Sequence, residues 1–348
     1  MNDASRIARR AALMCGLVAG AAWSGCWSAG KNEVVVYCAL DREFAEPVLA
    51  DFEKQTGVRV LAKYDVESTK TVGLVQEIIQ EAPRPRCDLF WNNEILHTLR
   101  LEKRGLLDVY VAPGAAGFPA NYRSPAGRWH GLAARARVLI VNRDLVPPEQ
   151  RPTSVQDLLR PEWRGKVGIA KPLFGTTATH AAALFATWGD ERAQEFFRQL
   201  KLNVEIQSGN KQVATAVGRG QLAFGLTDTD DAIAEVDQGS PVEIVFPDQG
   251  ADGLGALFIP NTLCIMRGSP HAEHARRLVD YLLSPAVETR LAEGASAQFP
   301  VNPKVTAAPR VKPDAPINWM PVDFAAAAEK WETAASWLRD EFDAPPSR

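Results

Sequence analysis

The chain has 348 residues, a formal net charge of −3, 46% hydrophobic and 23% charged residues. That length exceeds one compact core and suits two lobes of ordinary domain size, and the composition is that of a globular chain, not a disordered or fibrous one. A small negative charge with no block of like charges argues against nucleic acid or an anionic membrane surface as partner.

The first residues carry an export pattern. Arg6, Arg9 and Arg10 precede the apolar stretch AALMCGLVAGAAW, too short for a permanent bilayer span and suited to the h-region of a signal peptide over residues 1–25. WSGC, ending at Cys26, resembles a bacterial lipoprotein box, with Trp23 where an aliphatic residue is usual. Lipidation of Cys26 and a lipid anchor in a membrane are expected, with simple cleavage as the alternative. Losing three arginines and one aspartate with the segment takes the net charge from −3 to −5.

The pattern then alternates. EVVVYCAL is a buried strand, and REFAEPVLADFEKQTG sets Phe44, Val48, Leu49 and Phe52 on one helical face that Gly57 ends. VRVLAKY is a second strand, TVGLVQEIIQEA a helix, CDLFW a third strand and EILHTLRLEKRG a helix. Alternation of this kind predicts a parallel sheet covered on both faces. LAARARVLIVN is a long apolar run, after which the rhythm restarts. Its strands are KVGIA, NVEIQ, LAFGLT and VEIVFP, separated by helices opening at Gly175 to Thr177, DERAQEFFRQL, KQVATAVGRG and DDAIAEVDQG. GALFIPNTLCIM is a second long run, followed by the helix AEHARRLVDYLLS, the Pro-rich VNPKVTAAPRVKPDAP, expected as a surface linker, and a helix from about Phe324 to Phe342.

The predicted fold class is therefore α/β, with two Rossmann-like lobes joined by crossover strands and a ligand cleft between them. Lobe one is expected over 33–133 and 258–348, and lobe two over 134–257. Cys38, Cys87 and Cys264 lack C-x-x-C spacing, which excludes a zinc site of that type and leaves buried small hydrophobes or one disulfide.

Ligands of open parallel sheets bind beyond the carboxyl ends of the strands, and those positions are polar here. They bring Asp41 and Arg42, then Asn93 and Glu94, in the first lobe. KPLFGTT, QSGNKQ and GLTDTDD in the second bring Gly175, Thr176, Thr177, Asn210, Asp228 and Asp230. Gly175 with Thr176 and Thr177 at a helix start is suited to an oxyanion, through orphan N–H groups and hydroxyls; a threonine there also serves as an ordinary cap. Asn210 opens the next helix with the same two readings. Arg135 and Arg137 share a strand face, which suits either an anion or an inter-lobe ion pair. His130 is read as structural, and His271 with His274 as a solvated helix face.

VVVYCALDREFAEPVLADFEKQTGVRV, CDLFWNNEILHTLRLEKRGLL, GRWHGLAARARVLIVN, DLLRPEWRGKVGIAKPLFGTT and GQLAFGLTDTDDA are similar to the matching segments of the ferric-ion-binding branch of type II periplasmic solute-binding proteins. The resemblance implies an exported, periplasmic or cell-surface receptor of an ATP-driven (ABC) importer. A permease and an ATPase are its implied partners, it is a monomer and not an enzyme, and it holds Fe(III) with a synergistic anion at the 175–177 loop. That branch holds iron with two adjacent tyrosines, joined by a His and a Glu. In this chain Tyr37, Tyr64, Tyr110, Tyr122 and Tyr281 are all isolated; Thr227 to Asp231 stand where the pair falls, Asp41 where the His falls, and Asn93 beside Glu94 where the Glu falls. The ligand readings are thus a carboxylate-held metal with an anion, or an organophosphate or phosphonate solute; a sensor subunit is the alternative to transport. G-x-S-x-G, H-E-x-x-H and a nucleotide-binding glycine loop are not found.

Overall fold

Thirteen consecutive residues from His130 to Asn142, every one buried, form a strand that serves two groups of strands at once. The computed structural model describes residues 32–65, 71–311 and 315–343; the expected signal segment and Cys26 lie outside them. The elements of the first half are β1 (Glu33–Cys38), α1 (Arg42–Thr56), β2 (Arg59–Tyr64), α2 (Val72–Gln80), β3 (Leu89–Asn92), α3 (Leu96–Lys103) and β4 (His130–Asn142). There follow β5 (Val167–Ala170), α4 (Gly175–Trp188), α5 (Asp190–Asn203), β6 (Glu205–Gln207), α6 (Asn210–Gly218), β7 (Phe224–Asp228), α7 (Thr229–Asp237) and β8 (Val242–Val245). The chain closes with β9 (Phe258–Ile265), α8 (Ala272–Leu282), α9 (Pro285–Glu293) and α10 (Phe324–Asp343).

The strands run in the order β2-β1-β3-β9-β4-β7-β5-β6, with β8 also on β4. β1 lies parallel to β2 and β3, and β5 parallel to β6 and β7, as strand–helix–strand crossovers require. The crossing strands are antiparallel: β9 inserts between β3 and β4, meeting His130 to Ala136, while β7 pairs with Arg137 to Val141. The two sheets are therefore mixed, where the strand–helix alternation predicts purely parallel ones. Alternate residues of β1 enter opposite cores, Val34, Val36 and Cys38 into one and Val35 and Tyr37 into the other. Helix α1 buries Ala45, Val48, Leu49 and Phe52 and stops at Gly57, whose φ of +69° lets its N–H reach Glu53 O.

Where β4 passes between the two groups, its register shifts between Leu132 and Ala134, and Ala133 has φ +27°. Such a bulge redirects the strand. It is held from α9, where buried Glu288 accepts Ala133 N at 2.5 Å and also Asn302 N at 2.6 Å and Val301 N at 3.1 Å. Burial raises the Glu288 carboxyl, with those N–H donors opposing it.

Three further details depart from expectation. Strand β2 is an edge strand with mostly exposed residues. The Pro-rich segment is not simply a surface linker: Val301, Asn302 and Val311 are buried, the first two because Glu288 takes their backbone N–H groups. Finally, α10 covers both halves of the molecule. Arg100 of α3 donates to its Glu332 at 2.6 Å, and its Lys330 donates to Asp190 of α5 at 2.9 Å, while Trp331, Ala334, Ala335 and Leu338 are buried in the core with α4.

Candidate functional site

The ends of β3, β5, β6 and β7 converge on one crevice, as the strand-end rule predicts. It is lined by Asn93, Lys171, Gly175, Ser208, Asn210 and Asp228, among others, and its free volume is about 10 Å³. One water molecule fills that space, so a larger solute enters only when the surrounding elements part. Two roomier grooves, about 840 and 960 Å³, lie elsewhere, against Tyr122, Trp129 and Trp319 and against Trp188 and the 248–254 loop. Neither lies at the carboxyl ends of β5, β6 and β7, so size alone does not identify the site.

Helices α4 and α6 both start at the crevice, and neither start is capped by a side chain; the N-cap positions are Phe174 and Gly209. Gly175 has φ +53°, which swings the chain into α4 at little steric cost. The first-turn N–H groups of the two helices are the orphan donors that bind oxyanions. Thr176 and Thr177 therefore do not act as caps, and neither does Asp228, the N-cap position of α7.

These side chains bond instead to one another around Arg137. Arg137 Nη1 donates to Asp228 Oδ1 at 2.7 Å, Asn210 Oδ1 at 3.0 Å and Thr176 Oγ1 at 3.3 Å, and Nη2 donates to Thr177 Oγ1 at 3.3 Å. Thr176 Oγ1 and Asn210 Nδ2 donate to Asp228 Oδ2 at 2.5 and 3.0 Å. All five residues are buried. A buried guanidinium needs a hydrogen-bonded countercharge, and Asp228 provides it.

Arg135 sits beside this knot, paired with Asp230 at 3.2 Å and donating to Asn93 O at 3.3 Å. Burial alone would lower its pKa, but Asp230, Asp228, Asp41 and Asp231 together raise it. Carboxylate oxygens of Asp228, Asp230 and Asp231 lie within 4.8 Å of one another. Asp41 stands half-buried at the N-cap position of α1. Across from it, Lys211 of α6 pairs with Glu43 of α1 at 3.0 Å.

Of the residues singled out from the sequence, Asn93, Gly175, Thr176, Asn210 and Asp228 line the crevice. Thr177, Arg135 and Asp230 stand immediately behind it in the bonded network. Glu94 does not line it. Fully buried, it accepts from Thr179 of α4 at 2.9 Å, Asn92 at 2.7 Å and the His97 N–H at 3.1 Å, joining α3 to α4. Burial pushes its carboxyl up, yet the His97 ring and these donors prevail and lower it.

Sequence reading passed over Thr71 and Lys171. Thr71 donates to Asn93 Oδ1 at 2.6 Å from a backbone with φ +71°, strain that no pattern announces in a threonine. Lys171 follows β5 directly and lines the crevice, and its place after a strand is the signal that finds it.

The tyrosines are engaged elsewhere. Tyr37 donates to Glu81 and Tyr110 to Asp280, Arg42 lies over Tyr64, Tyr122 packs on Phe258, and Tyr281 on Phe52. Burial pushes the Tyr110 hydroxyl up to about 12 and raises the others. His130 bonds to Tyr110 O, a structural role, and His271 bonds to buried Asp88 rather than to solvent. Cys38, Cys87 and Cys264 are buried thiols outside any disulfide.

The chain is 27% identical to the Fe(3+)-binding periplasmic protein of Serratia marcescens over 193 residues, 56% of each chain. It thus spans little more than half of that relative's length. Among solved structures, iron-bound HitA from Pseudomonas aeruginosa superposes with a TM-score of 0.80 at 23% identity, over 89% of this chain and 99% of that one. AfuA from Actinobacillus pleuropneumoniae, with fructose-6-phosphate bound, superposes with a TM-score of 0.79 at 21% identity, over 90% and 99%. These likenesses agree on the two-lobed fold of periplasmic binding proteins. Residues 97–328 match the bacterial extracellular solute-binding protein family, and with two-thirds of the chain so matched, the protein belongs to that family.

Proposed function

We propose that this protein is the extracytoplasmic receptor of an ATP-driven importer, and that its cleft captures a small polar solute by an oxyanion seated at the N-termini of α4 and α6. The observation that carries this reading is the pair of uncapped helix starts opening on one crevice beside Lys171. Lobes bounded at 33–133 with 258–348, and at 134–257, would hinge about the β4 bulge to admit it. Gly175, Thr176, Thr177 and Asn210 hold the anionic end through the backbone N–H groups of the two helix starts, while Asp41, Asn93, Asp228, Asp230 and Arg135 frame the rest. A permease and an ATPase are the partners, and the receptor acts as a monomer by binding, without catalysis. Lipid at Cys26 holds it to a membrane: Cys26→Ala is expected to move the protein from the detergent phase to the aqueous phase in a partitioning assay.

A second reading rests on the Asp228, Asp230 and Asp231 oxygens. Carboxylates suit a hard cation such as Fe(III), and the Serratia marcescens relative is an Fe(3+)-binding protein by name. Against it, Arg137 and Arg135 already neutralise two of the three. Native mass spectrometry of protein purified from its host, followed by titration with ferric citrate and a panel of organophosphates, separates the two. The oxyanion reading expects an organic anion in the cleft and Thr177→Asp to abolish its binding. Tight iron uptake with unchanged affinity in Thr177→Asp would overturn it.

A further inference from the structure

The donors of this site already hold an anion that belongs to the protein. Asp228 receives Arg137 Nη1 at 2.7 Å, Thr176 Oγ1 at 2.5 Å and Asn210 Nδ2 at 3.0 Å. A guanidinium, a hydroxyl and an amide converging on one carboxylate are the groups that would otherwise grip a phosphate or carboxylate ligand. Asp228 is buried at the crevice wall and Arg137 is fully buried behind it, so the pair is shielded from bulk water.

We infer that Asp228 is a built-in counter-anion that determines the specificity of the cleft. This rests on the oxyanion reading of α4 and α6. Because Asp228 occupies Arg137, Thr176 and Asn210, an incoming oxyanion is left with the first-turn N–H groups of the two helices, Lys171 being ion-paired with Asp343 of α10. It also meets the Asp228 oxygens, which accept hydrogen bonds and offer none. A fully ionised inorganic dianion has no donor for them and is held poorly there. A solute that carries a hydroxyl or ammonium group next to its oxyanion donates that group to Asp228 and is admitted. The ligand class is thus a donor-bearing oxyanion, and simple phosphate is rejected.

Removing the charge while keeping the shape reverses the selection. Asp228→Asn leaves Arg137 without its countercharge and turns the crevice into an inorganic-anion site. Calorimetric titration of the wild type, Asp228→Asn and Asp228→Ser with inorganic phosphate tests this, with thermal melting to establish that each variant is folded; the serine variant serves if the asparagine one does not fold.

Asp228→Asn is expected to bind phosphate at least about tenfold more tightly than the wild type. Adding Arg137→Gln is expected to cancel the gain. Equal or weaker binding by the folded variants overturns the inference. If the wild type itself binds phosphate as tightly as the variants, the oxyanion reading of the helix ends survives and the role of Asp228 falls. If neither the wild type nor any folded variant binds phosphate, both fall together.

Discussion

At the scale of single residues, the molecule places charge where water cannot reach it and balances it locally. Arg137 and Asp228 illustrate the asymmetry of such pairs. Truncating one partner strands the other, at a cost of about 3–5 kcal/mol, so Arg137→Met should lower stability by that much in denaturant unfolding. The double variant Arg137→Met/Asp228→Asn should recover most of the loss, because no stranded charge remains.

His180 of α4 adds a pH signature. Burial, reinforced by nearby Arg137, lowers its pKa from 6.5 to about 3. The folded state therefore keeps it neutral while the unfolded chain takes up a proton below pH 6.5, so its contribution to stability is lost as pH falls from 6.5 towards 3. His180→Gln should flatten the stability profile between pH 6.5 and 5 by up to about 1.4 kcal/mol per pH unit, as read from urea midpoints across that range.

At the scale of elements, the first turn of α4 decides whether the cleft can hold an oxyanion. Gly175 combines φ +53° with open space around a would-be Cβ. Gly175→Ala therefore meets no clash and costs only backbone strain, about 1 kcal/mol. The expected result is a small drop in melting temperature with a larger loss of solute affinity, because relaxation of the strain re-aims the N–H groups; an unchanged affinity would show that those groups are not used.

Most of the elements were legible because their apolar spacing matches one period only, as in EVVVYC or the Phe44 to Phe52 face. Helix α9 was not, although Ser284 and Pro285 form a readable start, since it follows α8 so closely that the two merge in the apolar pattern. The candidate site was legible as a set of strand ends. Its internal bonding was not: whether Asp228 caps α7 or turns to Arg137 depends on a contact between residues 91 apart. Glu94 shows the same limit, because polarity after a strand says nothing of the Thr179 hydroxyl that meets it from another helix.

At the scale of the whole molecule, two groups of strands share β4 and are bridged by α10. The closure proposed about the β4 bulge would therefore be small, or would bend that helix's contacts. The Lys211–Glu43 pair links α6 to α1 in the open, with more than half of each side chain exposed. Exposed pairs contribute little, so this one would not lock the proposed closure. The insertion of β9 between β3 and β4 has a consequence in time. Phe90 and its partner Cys264 are 174 residues apart, so during synthesis the apolar edge LFW of β3 waits about 9 to 35 s for its neighbour. An unpaired, fully buried-type edge is a template for aggregation. The nascent chain therefore has reason to stay unfolded until it is nearly complete, a state that suits passage through a translocation channel. Pulsed hydrogen exchange during refolding should find β5 and β7 protected first, and β3, β9 and the first half of β4 protected last and together.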